Sequence, residues 1–497
     1  MSRIIELPII ICGELKMPKE HYIDIKYSND VLVRITKPSK EDLEKIYNYN
    51  VDLSDIKFSE VSKYVAKFSL DFLREDNQTR LDAIELSSYL TGYTKKMLER
   101  DYDIICDHLS APYTIYDIAT AELGDYRMLD EWVHRQLVKI KAFPRGRAFH
   151  VLVGNVPMTG IFSVFRSIIT KNQTVVKLPA RDLVSTLYFM KGLIESNSNG
   201  EAYQELLNSS LSVFYLEKDG EELKDLIESS DVVCAWGKGS SLKRVKEMVP
   251  HSVPYVEFGP KRSYSLLYTN KGYNLNTAAI RMAHDLCVYD QEACLSPQRL
   301  FVIGEYEEYV KVLEKWLNWQ SKYLPRGIIN DDAESHLYRH KLEAIYTGMK
   351  VVAGEPDWRI IVCDPYDVID HPLGRTLFIH PIKSEEEMLP FIDEETQTIS
   401  VFPYRQDMYK LADLLCKKGI SKLCETGMAF YPRDGWTHDA MYPLQYFVRL
   451  CFMDATSEQE YKYDPLDEEL AWDSFSKMFG GVPYDELEEI AEFYTLS

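Results

Sequence analysis

From Arg147 onward the chain alternates short apolar runs with stretches of helical spacing, and few architectures accept that pattern. Ala148–Val153, Thr174–Leu178, Leu211–Leu216 and Asp231–Trp236 read as buried strands. Ile161–Thr170, Leu183–Glu195 and Leu223–Glu228 lie between them with helical spacing. Strands alternating with helices imply βαβ units and a parallel sheet, hence an open α/β domain. Sheets of this kind bind ligands beyond the carboxyl ends of their strands, so chemistry is expected there. A second α/β stretch starts near Tyr264, with a helix around Asn276–Asp285, a polar loop through Cys294 and the strand Arg299–Ile303. Helices at Tyr306–Trp319 and Glu334–Tyr346 and strands at Ile360–Cys363, Leu377–His380 and Ser400–Phe402 follow. Before residue 120 the pattern is mixed, with helices expected over Phe58–Leu73 and Arg80–Leu98 and no catalytic signal. The divisions expected are 1–120, a mixed segment packing on the first α/β domain, then 121–262, 263–455 and an acidic extension, 456–497.

The 497 residues suffice for two to four domains of ~100–200 residues each. Net charge is −21, which argues against a broad nucleic-acid or anionic-lipid surface. Much of that charge is local: Thr456–Ser497 holds twelve Asp/Glu against Lys462 and Lys477. The nine cysteines form no Cys-x-x-Cys pair and no cluster at zinc spacing, which predicts reduced thiols in a cytoplasm and no metal site. No run approaches the ~20 apolar residues of a membrane span, so a soluble, cytoplasmic protein is expected.

Several chemistries are set aside directly. There is no Gly-x-Ser-x-Gly elbow and no His-Glu-x-x-His helix, and Gly237-Lys238 has Val232 where a P-loop needs its first glycine. Gly237-Lys-Gly-Ser-Ser-Leu242 is an incomplete dinucleotide fingerprint between a strand and a helix. It reads either as a diphosphate site at a helix N-terminus or as a plain Gly-rich turn. Cys294, in Asp290-Gln-Glu-Ala-Cys-Leu-Ser-Pro-Gln298, sits in a polar loop where substrate can approach a thiol, whereas Cys106, Cys234, Cys363 and Cys451 sit in apolar runs as packing residues. An incidental thiol is the alternative at Cys294. Glu257 ends an apolar strand, where desolvation would raise its pKa toward a general base's range, unless it faces water. Asn155 follows the strand Ala148–Val153 as a turn residue, and Lys177 ends the next strand before Pro179.

Taken in order, Asn-x-Pro, Lys-x-Pro-Ala, Gly-x-Gly-Ser, Glu-x-Gly-x-Lys and Gln-x-x-Cys resemble the aldehyde dehydrogenase superfamily, as do Lys383–Met388 and Thr396–Phe402. His150-Val-Leu-Val-Gly-Asn-Val-Pro157, Glu257-Phe-Gly-Pro-Lys261, the Cys294 loop and Arg433-Asp-Gly-Trp-Thr-His-Asp439 are more specifically similar to the LuxC-type fatty acyl-CoA reductases. The resemblance covers roughly residues 120–450.

It implies an aldehyde dehydrogenase-like α/β fold with a Rossmann-type NADP-binding domain over 121–262 and a catalytic domain over 263–455. It implies Cys294 as nucleophile, Asn155 in the oxyanion hole and Glu257 as general base. Lys177, Pro179, Ala180, Arg181, Trp236, Gly237 and Lys238 would meet the cofactor. Ala180 replaces a glutamate that selects the 2′-hydroxyl in NAD-using relatives, so NADPH is expected, with Arg181 suited to its 2′-phosphate. His371 falls where many relatives hold the nicotinamide ribose with Glu, and His371 and Arg375 are candidate replacements. The activity implied is reduction of long-chain acyl-CoA to fatty aldehyde through a Cys thioester, as in luminescence. Alternatives are an aldehyde dehydrogenase making acids and an acyl-accepting carrier subunit. Implied partners are acyl-CoA and an acyl-protein synthetase or thioesterase subunit of a fatty acid reductase complex, with a homo-oligomer of this chain.

Overall fold

The computed structural model describes residues 3–27, 31–135, 138–196, 200–270, 272–329, 331–363 and 370–454. The acidic segment from 456 on, including the amphipathic stretch Asp485–Tyr494, lies outside them. The chain divides into two compact units, residues 1–126 with 144–449, and residues 127–143 with the chain from 450.

The larger unit is built on two seven-stranded sheets. In the first, the strands run Tyr255–Phe258, Val232–Trp236, Arg147–Val151, Gln173–Lys177, Leu211–Phe214, Ile9–Ile11 and Glu14–Lys16 across the sheet. The first five are mutually parallel and the last two pair antiparallel. Val232–Trp236 and Leu211–Phe214 are buried throughout, as strands covered on both faces must be. Parallel pairing puts the carboxyl ends of these strands on one edge. Leu152 N–H donates to the Lys177 carbonyl at 3.2 Å and Gly237 N–H to the Phe258 carbonyl at 3.2 Å. Asn155, Lys177, Gly237 and Phe258 are thereby gathered on that edge.

The second sheet runs Lys350–Gly354, Trp358–Val362, Thr376–Ile382, Pro297–Ile303, Arg262–Tyr268, Thr396–Phe402 and Lys422–Glu425. All pairs but the first are parallel. Its two faces are closed by separate apolar clusters, one around Leu286, Leu313 and Trp358, the other around Leu266, Phe301 and Val401. The smaller unit holds a three-stranded sheet with Val138–Pro144 between Val133–Arg135 and Val448–Asp454. Cys451, read as a packing residue, is exposed there.

One expectation changes in the first 120 residues. The stretch Arg80–Leu98 is two helices, Gln78–Thr91 and Lys95–Ser110. Gly92 ends the first with φ 80°, and a Cβ there would stand 2.6 Å from the Ile328 carbonyl oxygen. The short apolar run at the N-terminus is a strand of the first sheet, with Ile10 paired to Val213. Its partner lies two hundred residues away, so no local pattern announces the pairing.

Candidate active site

Cys294 lies between the helix Leu275–Cys287 and the strand Pro297–Ile303. The turn leading to it has three consecutive left-handed residues, Tyr289, Asp290 and Gln291, with φ of 52°, 51° and 68°. For residues other than glycine this conformation persists only where the surroundings enforce it. Here each side chain is tied to a different element. Tyr289 donates its hydroxyl to Asp101 of the helix Lys95–Ser110. Asp290 accepts from Arg375 Nε at 2.7 Å and from Gly327 N–H at 2.9 Å. Gln291 donates to the Pro297 and Thr376 carbonyls at 2.8 and 2.6 Å and accepts from Thr376 N–H at 2.8 Å. The Cys294 carbonyl is itself held by Ser263 Oγ at 2.6 Å.

The thiol opens on a cavity of about 170 Å³ walled by Val156, Phe162, Phe165, Trp236, Tyr289 and Phe430. The helix Pro157–Ile169 supplies much of that wall because Thr159, Phe162, Arg166 and Ile169 recur on one face. Its entry is set by Asn155, whose Nδ2 donates to the Glu292 carbonyl at 3.1 Å, two residues before the thiol. Tyr93 donates its hydroxyl to the Asn155 carbonyl at 2.5 Å. Burial, with Asp439 nearby, pushes the Cys294 thiol up to about 12. A second cavity, of about 400 Å³, lies against Lys422 and Cys424 and shares Arg433 and Trp436 with the first.

Lys177 is half-buried, and burial pushes its ammonium down to about 8. Among the described residues its neighbour is the Tyr215 ring, 5.5 Å from Nζ, and no carboxylate is paired with it. Gly237, Lys238 and Gly239 lead into the helix Gly239–Met248, with Lys238 and Gly239 exposed and open space where a Gly239 Cβ would be. A half-buried cation with no paired carboxylate among the described residues and an open helix N-terminus on one sheet edge fit an anionic dinucleotide. Pro179 and Ala180 follow on the same edge, the Ala180 carbonyl accepting from the Tyr27 hydroxyl at 2.5 Å.

Five residues have surroundings that the sequence reading did not anticipate. Glu257 is not desolvated: strand alternation buries Val256 and Phe258 and turns Glu257 outward, 3.9 Å from Lys246 Nζ. Arg181, read as a phosphate ligand, pairs with Glu292 at 2.5 Å. Trp236 faces inward, stacked on Phe258 at 3.9 Å and donating to Ser163 Oγ at 3.0 Å. Arg375, a candidate ribose contact, is 0% exposed and clamped to Asp290. His371 packs 4.6 Å from the Phe378 ring and accepts from Leu373 N–H at 3.1 Å, with burial pushing it down to about 3.

The sequence reading gave no role to Asp101, Tyr93, Gln397, Lys422 or Asp439, all of which bear on the Cys294 loop. Asp101 left a trace, because it shares one face of its helix with the buried Leu98, Tyr102 and Ile105. A carboxylate on an apolar face needs a partner.

Residues 53–450 match the family model described as acyl-CoA reductase (LuxC). The chain is 31% identical over 468 residues to the long-chain acyl-protein thioester reductase of Vibrio harveyi, covering 93% of this chain and 95% of that protein. The reductase of the same description from Aliivibrio fischeri is 30% identical, with the same coverage. Among solved structures, aldehyde dehydrogenase 21 of Physcomitrella patens, in complex with succinate, superposes with a TM-score of 0.68 at 14% identity, over 91% of this chain and 98% of that one. The NADP-dependent glyceraldehyde-3-phosphate dehydrogenase of Bacillus halodurans, complexed with NADP, gives 0.68 at 12% identity over 91% and 100%. The fold is that of the aldehyde dehydrogenases, and the chain belongs to the LuxC acyl-CoA reductase family.

Proposed function

We propose that the protein reduces long-chain fatty acyl thioesters to aldehydes, with Cys294 as nucleophile and NADPH as reductant. The observation that carries this reading is a thiol held by an over-determined backbone turn in the wall of an apolar cavity. Such a cavity suits an alkyl chain, while the thiol meets its carbonyl end. The Cys294 thiolate attacks the carbonyl carbon of an acyl-CoA or acyl-protein thioester, and the carbon–sulfur bond to the donor breaks. The donor leaves as a thiolate that takes up a proton. Asn155 contributes the amide hydrogen that Glu292 does not use, since an amide nitrogen carries two. An oxyanion donor of this kind is worth ~2.7–4 kcal/mol. NADPH, when bound, supplies the hydride. Loss of the Cys294 sulfur from the reduced carbon then frees the aldehyde and regenerates the thiolate.

Lys177, Pro179, Ala180 and the Gly237–Lys238 turn would hold the dinucleotide. The names of the relatives favour an acyl-protein thioester as physiological donor. The test is product analysis with acyl-CoA thioesters of increasing chain length plus NADPH. Aldehyde supports the reading. Free acid would point to an aldehyde dehydrogenase, and bound acyl label that cofactor never discharges would point to a carrier.

Two variants probe the cofactor edge. With Arg181 engaged by Glu292, preference for NADPH rests on Lys177 and on the missing acid at Ala180. Ala180→Glu is expected to shift the NADPH-to-NADH ratio toward NADH by about tenfold or more, through repulsion of the 2′-phosphate and a new acceptor for the hydroxyl. A wild type preferring NADH, or an unmoved ratio, would withdraw the assignment. Glu257→Gln should leave Cys294 acylation within about tenfold of wild type, because an exposed carboxylate beside Lys246 lacks the burial that tunes a base. A loss of ~10²–10⁴ would restore it as general base.

A further inference from the structure

Asn155 is held from two sides. Its Nδ2 donates to the Glu292 carbonyl at 3.1 Å, and its own carbonyl accepts from the Tyr93 hydroxyl at 2.5 Å. Tyr93 lies in the turn between the helices Gln78–Thr91 and Lys95–Ser110, in a segment whose sequence carries no catalytic signal. It is 3% exposed, and burial, with Glu292 nearby, pushes its phenol up, so the hydrogen stays on the oxygen. The same hydroxyl stands 3.3 Å from Glu292 Oε2, but Arg181 holds that carboxylate oxygen at 2.5 Å. A phenol has one hydrogen to give, and its shorter contact is the Asn155 carbonyl. The turn that carries the ring is fixed in its own right. Tyr93 N–H donates to Thr91 Oγ1 at 3.2 Å, and the Gly92 carbonyl accepts from Ile328 N–H at 2.8 Å.

An oxyanion donor works only where it stands about 2.7–3.1 Å from the oxygen that becomes negative. Asn155 lies between the strand Arg147–Val151 and the helix Pro157–Ile169, outside both, so their backbone bonds do not fix its peptide. The Tyr93 hydroxyl does. We propose that Tyr93 is a positioning residue for acyl transfer, its hydroxyl holding the Asn155 peptide so that the Asn155 amide meets the oxyanion formed at Cys294. The helical N-terminal segment is thereby part of the active site. The proposal rests on the reading of Cys294 as nucleophile and Asn155 as oxyanion donor.

The experiment compares two reactions of Cys294 in the full chain, each followed by the mass of its peptide. Acyl transfer from acyl-CoA passes through a tetrahedral oxyanion. In alkylation by iodoacetamide the thiolate displaces iodide at a saturated carbon, and no oxyanion forms. Both reactions need the same thiolate, so the ratio of acylation to alkylation rates reports on the oxyanion alone. Tyr93→Phe removes one oxygen and keeps the ring. It should lower the ratio about tenfold through slower acylation, with alkylation within about threefold of wild type. Tyr93→Met, which also lacks the hydroxyl, serves if the phenylalanine variant does not fold. Asn155→Ala should lower the ratio by ~10²–10³. Adding Tyr93→Phe to Asn155→Ala should lower it no further, because the two residues act through one donor. A ratio that Tyr93→Phe leaves unmoved, or a fall in both rates alike, overturns the positioning role. So does an equal fall in the ratio with and without the Asn155 amide. Failure of the underlying reading has a different signature, and the proposal falls with it: Asn155→Ala leaves the ratio unmoved, or the wild type takes up iodoacetamide at Cys294 and no acyl label.

Discussion

Cys294→Ser is expected to reduce acyl uptake from acyl-CoA below detection and to abolish aldehyde formation. A neutral hydroxyl is a far weaker nucleophile than a thiolate, and no histidine base is bonded to this position to compensate among the described residues. Cys287→Ser should retain acylation, since Cys287 is fully buried at the end of its helix and burial pushes it up to about 11. The measurement is the intact mass of the protein after exposure to acyl-CoA. The same assay carries a pH dependence. With the thiol pushed up to about 12, it is protonated at neutral pH, and the thiolate fraction climbs about tenfold per pH unit well below that value. Acylation should therefore accelerate from neutral to mildly alkaline pH. Persistent label on the serine variant would move the nucleophile elsewhere, with Cys424, beside Lys422 in the neighbouring cavity, first in line.

Elements whose partners are near in sequence were legible. The strands Arg147–Val151, Gln173–Lys177 and Val232–Trp236 fall within a few residues of the apolar runs that announce them. Asn155, Lys177 and Gly237 were placed because each ends or follows such a strand, and the parallel register does the rest. Residues that act through a distant partner were not legible. Asp101 meets Tyr289 across nearly two hundred positions, and Gln397 meets Asp439 only once two separate segments have packed. Glu257 shows the converse limit. Its strand was found, but its face was left open between desolvated and water-facing, because one step along a strand exchanges core for solvent, and the fold takes the second. Arg181 and Arg375 were read as ligand-binding cations from where the resemblance puts them in the chain. In the fold their charges are spent on Glu292 and Asp290, two carboxylates of the nucleophile's own loop. Charge type was visible in the sequence, and pairing was not.

That second pairing sets the other large expected effect. Arg375 lies in a left-handed stretch of its own, Leu373 to Arg375 with φ of 59°, 62° and 59°, and is 0% exposed. Its guanidinium holds Asp290 at 2.7 Å and the Leu324 carbonyl at 3.0 Å. Arg375→Met should destabilise the protein by ~3–5 kcal/mol, because it leaves the Asp290 carboxylate buried with, among the described residues, the Gly327 N–H as its remaining hydrogen-bond partner. Asp290 is also the middle residue of the strained turn before Cys294, so acylation should fall with stability even where the variant remains folded. Adding Asp290→Asn should recover part of the loss. Asparagine tolerates the left-handed backbone, keeps an acceptor for Gly327 and removes the orphaned charge. The sign of that recovery separates the two explanations of the single variant. If stability is lost mainly through an unpaired buried charge, the double variant unfolds at higher denaturant than Arg375→Met alone. If instead the arginine acts only by filling space, Asp290→Asn adds its own cost and the midpoint falls further. Denaturant unfolding of the three proteins, read beside acylation of Cys294, decides between them.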